Sequence, residues 1–354
     1  MKEFVMRRGL WIYFILMSLL WLAIPAEATV FVPANDSRIQ YWGRVYSENS
    51  IVNLDWPGTT IVVKFTGRRI KMRLLEPTKN TWWIRIDNQD WRRFDEPGTA
   101  TEFEMTDSIL SEGEHTLIVS KKNESGWGYM RVVGFILEDG EKVLPPPARP
   151  AKSIEFIGDS ITAGFAVHGP YNNKNGDGRL TYGYMAAMDL GVEPIITAIS
   201  GIGLSHNLYK MSDVGTLPKA YDRINNTVKK HQMDGKPIDP AIITVNLGTN
   251  DSEPMADPLV FQTHAYAFLK QLRSHHPQSW ILVMEPFKGM FEEQWRNAIT
   301  KIQTKDKDSK VVFIKTDGWL DPKKGSIDGT HPNEIGNRGI ADKLVPILRE
   351  YLEK

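Results

Sequence analysis

Ile154-Glu155-Phe156-Ile157-Gly158-Asp159-Ser160-Ile161-Thr162-Ala163-Gly164 is a short, mostly apolar run that breaks into a glycine-bounded turn. A run of that length ended by glycine reads as a buried strand. Similar runs recur at Pro194–Ile199, Ala241–Leu247, Trp280–Met284 and Val311–Ile314. Helical stretches separate them: Tyr182–Leu190, Thr216–His231, Pro258–His275 and Glu292–Gln303. Ile335–Leu352 closes the chain as an amphipathic helix with Ile340, Leu344, Ile347, Leu348 and Tyr351 on one face. Strands that are apolar almost throughout, alternating with helices, predict an α/β fold with a parallel, doubly wound sheet. Sites in such sheets lie beyond the carboxyl ends of the strands.

Polar residues gather at those ends. The first strand runs into Gly158-Asp159-Ser160 and the second into Ser200-Gly201-Ile202-Gly203. The third runs into Gly248-Thr249-Asn250-Asp251, and the loop before the final helix reads Asp328-Gly329-Thr330-His331-Pro332-Asn333. Gly-Asp-Ser alone is a weak motif, since Ser and Asp are ordinary helix caps. Four such blocks in this order carry more weight.

Upstream of Leu144 the period is different. Ile61, Val63 and Phe65 alternate with polar residues; so do Ile70, Met72 and Leu74, then Trp82, Ile84 and Ile86, then Leu117 and Val119. Met130–Ile136 is a further apolar run. Period-two runs between turn residues predict antiparallel strands, here an all-β, jelly-roll-like sandwich over residues 29–144. Pro145-Pro146-Pro147 opens a stiff linker over 145–151, because successive prolines neither pair in a sheet nor continue a helix. The second domain then covers 152–354.

Lys2, Arg7 and Arg8, the 15-residue apolar run Leu10–Ile24, and Ala26-Glu27-Ala28 together read as a secretory leader cleaved after Ala28. The run is short of the roughly 20 residues of a membrane-spanning helix. Removing 1–28 leaves a net charge of −1, which offers no electrostatic footprint for nucleic acid. The chain has no cysteine. That excludes disulfides, thiolate metal sites and a cysteine-linked lipid anchor. No His/Asp/Glu cluster has metal-ligand spacing, so no metal or other cofactor is expected.

On the four blocks, residues 152–354 resemble the GDSL/SGNH hydrolases, with Ile161 where the motif's name has leucine. The resemblance implies that Ser160 is a nucleophile and His331 its base, with Asp328 orienting the histidine. It implies an oxyanion hole made by Ser160, Gly201 and Asn250. The chemistry is consistent with this. A serine hydroxyl needs a neighbouring base, an imidazole serves at neutral pH, and a carboxylate three residues earlier can hold its tautomer. Two backbone N–H groups and an amide can receive the developing oxyanion.

The remaining polar residues receive structural readings. Asp251 reads as a helix cap, Asp159 as pointing into the fold, and His168 and His206 as loop or packing residues. His275-His276 ends a helix, where a cation suits the dipole.

Trp56-Pro57-Gly58-Thr59, Trp127-Gly128-Tyr129 and Val132-Val133-Gly134-Phe135, ahead of the Ile157–Gly164 block, extend the likeness. Together they resemble the second family of carbohydrate esterases. That implies a secreted esterase removing O-acetyl groups from xylan or glucomannan through an acyl-serine. Some members of that family orient the histidine with a backbone carbonyl, so the share of Asp328 stays open. A lipid esterase or lysophospholipase on the same scaffold, and a non-catalytic carbohydrate-binding protein, are the alternatives. Trp319 and Phe287 follow the fifth and fourth strands of the second half and are candidate sugar platforms. Each also reads as an anchor to the core.

Overall fold

The structure, a computed structural model, describes residues 28–76, 80–124, 128–170, 174–209, 214–224 and 239–354. The leader through residue 27, Trp127, and the expected helix beyond residue 224 lie outside them.

Residues 29–144 form two antiparallel six-stranded sheets. One has the order β3 (Val45–Glu48), β4 (Ile51–Leu54), β11 (Met130–Glu138), β6 (Ile70–Leu74), β9 (Glu102–Glu104), with β1 (Thr29–Pro33) also on β11. The other runs β12 (Val143–Leu144), β5 (Thr60–Thr66), β10 (Glu114–Lys121), β7 (Thr81–Ile86), β8 (Arg92–Asp95), with β2 (Ile39–Trp42) on β5. The alternating residues fill the space between them. Ile61, Val63, Phe65, Ile70 and Met72 are wholly buried, and Leu117 pairs with Val63 across the β5–β10 ladder. Stacked Trp82 and Phe94, with Phe103 edge-on, close one end of this core. Each such side chain contributes about 1.5–3 kcal/mol by leaving water.

The second half is a five-stranded parallel sheet of order β14 (Glu193–Ala198), β13 (Ser153–Gly158), β15 (Ile242–Asn246), β16 (Trp280–Met284), β17 (Val311–Ile314). Every residue of β13, β14 and β15 is buried, which is why these strands read as continuous apolar runs. Helices α1 (Ser160–Ala163), α2 (Tyr182–Asp189), α3 (Leu217–Tyr221), α4 (Pro258–His275), α5 (Glu292–Lys305) and α6 (Glu334–Leu352) follow the strands. Phe261, Phe268 and Trp295 of α4 and α5 pack on one face of the sheet. Ala186 of α2 and Ile340 and Leu344 of α6 pack on the other. Asp257 caps α4 by accepting from Leu259 N and Val260 N, and Pro258 fixes the first turn.

The strand order reverses at β13, whose neighbours are the next two strands in sequence. A crevice opens at such a point, where connections leave in opposite directions. Ser160, Gly201 and Asn250 follow the three strands that meet there.

The two halves share buried polar contacts. Arg44, beside β2, pairs with Glu155 of β13 at 2.7 Å, both side chains almost fully buried. Trp83 Nε1 donates to Asp177 at 2.9 Å, and Lys122 Nζ donates to the Lys174 and Gly176 carbonyls at 2.6 Å. The proline-rich segment is itself docked: Arg149 bonds Glu193 at 2.6 Å and the Tyr41 carbonyl at 3.1 Å.

Candidate active site

Ser160 is the first residue of α1. Its own N–H therefore has no partner within the helix. Asp159 caps the helix, its Oδ1 accepting from Ile161 N at 3.0 Å. Gly158 makes the sharp turn possible, since a Cβ there would stand 2.1 Å from Thr162 Oγ1. Asp159 is fully buried. That burial pushes its pKa up to about 7, helped by the Asp251 carboxylate and opposed by the Ile161 N–H. Its expected inward orientation agrees with this placement.

Ser160 Oγ lies 2.9 Å from His331 Nε2, and His331 Nδ1 lies 2.6 Å from Asp328 Oδ2. The other carboxylate oxygen of Asp328 accepts from Thr330 N at 3.0 Å and His331 N at 2.8 Å. One side chain thus shapes the turn and meets the ring. Burial alone would raise the pKa of Asp328; the N–H donors and the His331 ring hold it below its ordinary value. The ring of Phe165 lies 4.7 Å from that of His331, fixing its other flank.

His331 arrives from the far side of the sheet, on the loop after β17. Two contacts hold this loop and the helix after it. Helix α6 packs beside α2, with Asn337 Oδ1 accepting from Tyr182 N at 2.9 Å. Ile327 N donates to His331 O at 3.0 Å, closing the loop on itself.

Gly201 takes φ +80°, a conformation that favours glycine. The loop it opens is held along its length. Leu208 N donates to the Gly201 carbonyl at 2.9 Å, and Asn250 Nδ2 donates to the Ile202 carbonyl at 2.7 Å. That leaves the second N–H of the Asn250 amide for another acceptor. Asp251 is not a helix cap. Its carboxylate accepts from Leu204 N at 2.9 Å, Ser205 N at 2.6 Å and His206 N at 3.2 Å. The local reading failed because these partners lie some 45 residues upstream in sequence and adjacent only in space.

Phe287 follows β16 and Trp319 follows β17, as expected. Both are partly buried against the core beneath α6, and Phe287 meets Tyr182 edge-on at 6.0 Å. His168 Nε2 bonds the buried Asp177 at 2.8 Å, a loop contact as expected. His276 departs from the expected cation at a helix end. Its side chain is 1% exposed, and that burial lowers its pKa.

Three residues near the site escaped the sequence reading. Phe165 follows the serine helix, where its position was a usable hint. Tyr209 is 69% exposed on the Gly201 loop. Glu124, from the sandwich, accepts from Ser200 N and Ser200 Oγ.

A carbohydrate esterase 2 N-terminal model matches residues 41–147 and a GDSL-like lipase/acylhydrolase model matches 154–344. The cellulase/esterase CelE of Acetivibrio thermocellus is 26% identical over 328 residues, which is 89% of this chain and 39% of that protein. An acetylxylan esterase/glucomannan deacetylase of Cellvibrio japonicus is 23% identical over 92% of both chains. Among solved structures, a family two carbohydrate esterase from Cellvibrio japonicus superposes with a TM-score of 0.82 at 22% identity, covering 92% of this chain and 99% of that one. A family two esterase from Clostridium thermocellum in complex with cellohexaose gives 0.79 at 25% identity, covering 89% and 99%. The resemblance read in the sequence is thus found in both halves, and with more than half of its length matched the chain belongs to the GDSL-like lipase/acylhydrolase family.

Proposed function

We propose that this protein is an exported serine esterase that removes O-acetyl groups from plant cell-wall polysaccharide. The observation that carries the reading is the hydrogen-bonded line from Ser160 Oγ through His331 to Asp328, at 2.9 and 2.6 Å. The expected leader supports export. Relatives named acetylxylan esterase/glucomannan deacetylase, and a structural neighbour holding cellohexaose, support a carbohydrate substrate.

In the proposed reaction, His331 Nε2 takes the Ser160 hydroxyl proton as Oγ attacks the acetyl carbonyl carbon. The carbonyl oxygen becomes an oxyanion, received by the Ser160 and Gly201 N–H groups and the free N–H of the Asn250 amide. The intermediate collapses, breaking the bond to the sugar oxygen. The imidazolium returns its proton to that oxygen, which leaves as a hydroxyl. Water then gives a proton to His331 and attacks the acetyl-serine. Acetate departs and Oγ regains its proton. Asp328 stays ionised throughout and stabilises the imidazolium.

Acetyl is small, so recognition falls to the sugar. Tyr209 offers an exposed aromatic face on the same loop as Gly201. The test is acetate release from acetylated xylan and glucomannan, compared with hydrolysis of long-chain acyl esters, for wild type and Ser160→Ala. Loss of acetate release in the folded variant is expected. Faster cleavage of long acyl chains would assign the site to lipid, and undiminished release by Ser160→Ala would refute the mechanism.

A further inference from the structure

Loop 200–206 is fastened at nearly every residue. Gly201 and Ile202 are held through their carbonyls, Gly203 N donates to Asn207 Oδ1 at 3.0 Å, and Asp251 holds the N–H groups of Leu204, Ser205 and His206. All of those anchors belong to the second half of the chain. The first residue of the loop is held differently. Glu124 Oε2 accepts from Ser200 N at 2.9 Å, and Glu124 Oε1 accepts from Ser200 Oγ at 2.7 Å.

We infer that Glu124 of the sandwich is a positioning residue for the oxyanion-binding loop, acting through Ser200 on the N–H of Gly201. This inference rests on the proposed esterase reading. The backbone bond fixes the peptide plane entering Ser200, and the hydroxyl bond fixes its side chain. Both reach one carboxylate, so the frame at the Ser200 Cα is set. The direction of the next N–H, that of Gly201, then depends on a single torsion of Ser200. The Leu208 bond restrains that torsion from the other side. Such donors act only where they are aimed in advance at the position of the oxyanion.

Glu124 is itself immobilised. It is 6% exposed and follows Lys121, Lys122 and Asn123, all buried. Lys122 N donates to the Thr81 carbonyl at 3.0 Å, Gly178 N donates to the Lys122 carbonyl at 2.9 Å, and Asn123 Oδ1 accepts from Thr81 N at 2.8 Å. The Lys121 ammonium is fully buried nearby. Burial pushes its pKa down to about 8, against the pull of Asp55 and Glu124. The carboxylate is thus set in a rigid corner between the two halves. The sandwich takes part in the reaction through this contact.

Three variants of the full chain test it: Glu124→Ala, Glu124→Gln and Ser200→Ala. Gln can keep both contacts, because Ser200 Oγ accepts as well as donates. Glu124→Ala is expected to lose about 10–100-fold in kcat on 4-nitrophenyl acetate with KM nearly unchanged, the scale set by a displaced oxyanion donor. Glu124→Gln is expected to stay within about threefold of wild type, and Ser200→Ala to fall between them, since only the hydroxyl contact is lost. Amide hydrogen exchange at Ser200–Ile202 reads the same clamp without substrate. It should quicken in Glu124→Ala and remain slow in Glu124→Gln, so a failure of the esterase reading would leave this result standing. Unchanged kcat and unchanged exchange in folded Glu124→Ala would overturn the inference. If that variant does not fold, unchanged kcat and exchange in Ser200→Ala would do the same.

Discussion

Asp328 is the residue whose contribution the geometry weighs most directly. Its carboxylate makes two kinds of bond: one oxygen holds the turn through Thr330 N and His331 N, the other meets His331 Nδ1 at 2.6 Å. Asp328→Ala removes both. A hydrogen bond to a charged group contributes about 1.5–3 kcal/mol. The Asp328 side chain is 48% exposed, so solvent screens it and the lower half of that range applies. At about 1.4 kcal/mol per tenfold in rate, kcat should fall about 10–50-fold. That is far less than the roughly 10⁴-fold seen where the orienting acid is buried. Asp328→Asn is the sharper variant. Its amide oxygen can keep both backbone bonds, which sets its NH₂ against Nδ1. The ring must then carry its proton on Nε2, facing Ser160, where it cannot act as a base. The Asn variant should therefore be at least as slow as the Ala variant while melting close to wild type. The assay is kcat on 4-nitrophenyl acetate beside circular-dichroism melting. If both variants keep kcat within about threefold, His331 is held by some other group and the reasoning fails.

Three more outcomes follow from named contacts. Asn250→Ala should cost about a hundredfold or more in kcat, and a loss of tenfold or less would place the amide outside the oxyanion hole. Tyr209→Ala should raise KM on acetylated oligosaccharide and spare 4-nitrophenyl acetate, whereas Trp319→Ala should lower the melting temperature and weaken both substrates alike; the reverse pattern would make Trp319 the sugar platform. Burial holds the pKa of His276 below its ordinary 6.5, so on acidification the unfolded chain takes up the proton first. The melting temperature should accordingly drop as pH falls from about 7 towards 5, and His276→Gln should flatten that slope; an unchanged slope would show that His276 does not contribute.

The parallel sheet was legible because burial on both faces turns each of its strands into an unbroken apolar run, as in Ile242–Asn246. Helix α4 was legible for a second reason, since Asp257 and Pro258 mark its start and the helix ends at His275. The sandwich was only partly legible. Strands β5, β6, β7 and β10 carry alternating apolar residues and β11 is an apolar run, but β8 reads Arg-Arg-Phe-Asp with no residue buried, and β12 spans two residues. Short edge strands bury too little to imprint a period. The four blocks could be read because each is contiguous in sequence, three at a strand end and the fourth in the loop before α6. Asp251 and Glu124 could not. Asp251 resembles any acidic residue after a strand, and Lys121-Lys122-Asn123-Glu124 resembles a solvated turn. All four of the latter are buried, and the second half of the chain covers Lys122 through Gly176 and Gly178 and Glu124 through Ser200.

That covering explains why charge is tolerated between the halves. Arg44 donates to the Tyr221 carbonyl at 2.5 Å as well as to Glu155, and Glu155 also accepts from Thr197 Oγ1 at 2.6 Å and Tyr221 OH at 2.9 Å. Burial works to raise the pKa of Glu155, yet Arg44, His276 and these donors bring it below the ordinary carboxylate value. Removing Arg44 alone would leave a carboxylate buried without its counter-ion, which costs more than the pair contributes. The same holds for Asp177, which takes Trp83 Nε1 at 2.9 Å and His168 Nε2 at 2.8 Å, and for Glu193, which takes Gly43 N and Arg149. Each of these acids sits in the second half and draws at least one donor from residues before 152. A hydrolase half made alone would expose or strand all three, and would also lose the Glu124 anchor on Ser200. Residues before 152 thus supply donors to Glu155, Asp177 and Glu193 and one acceptor, Glu124, to Ser200.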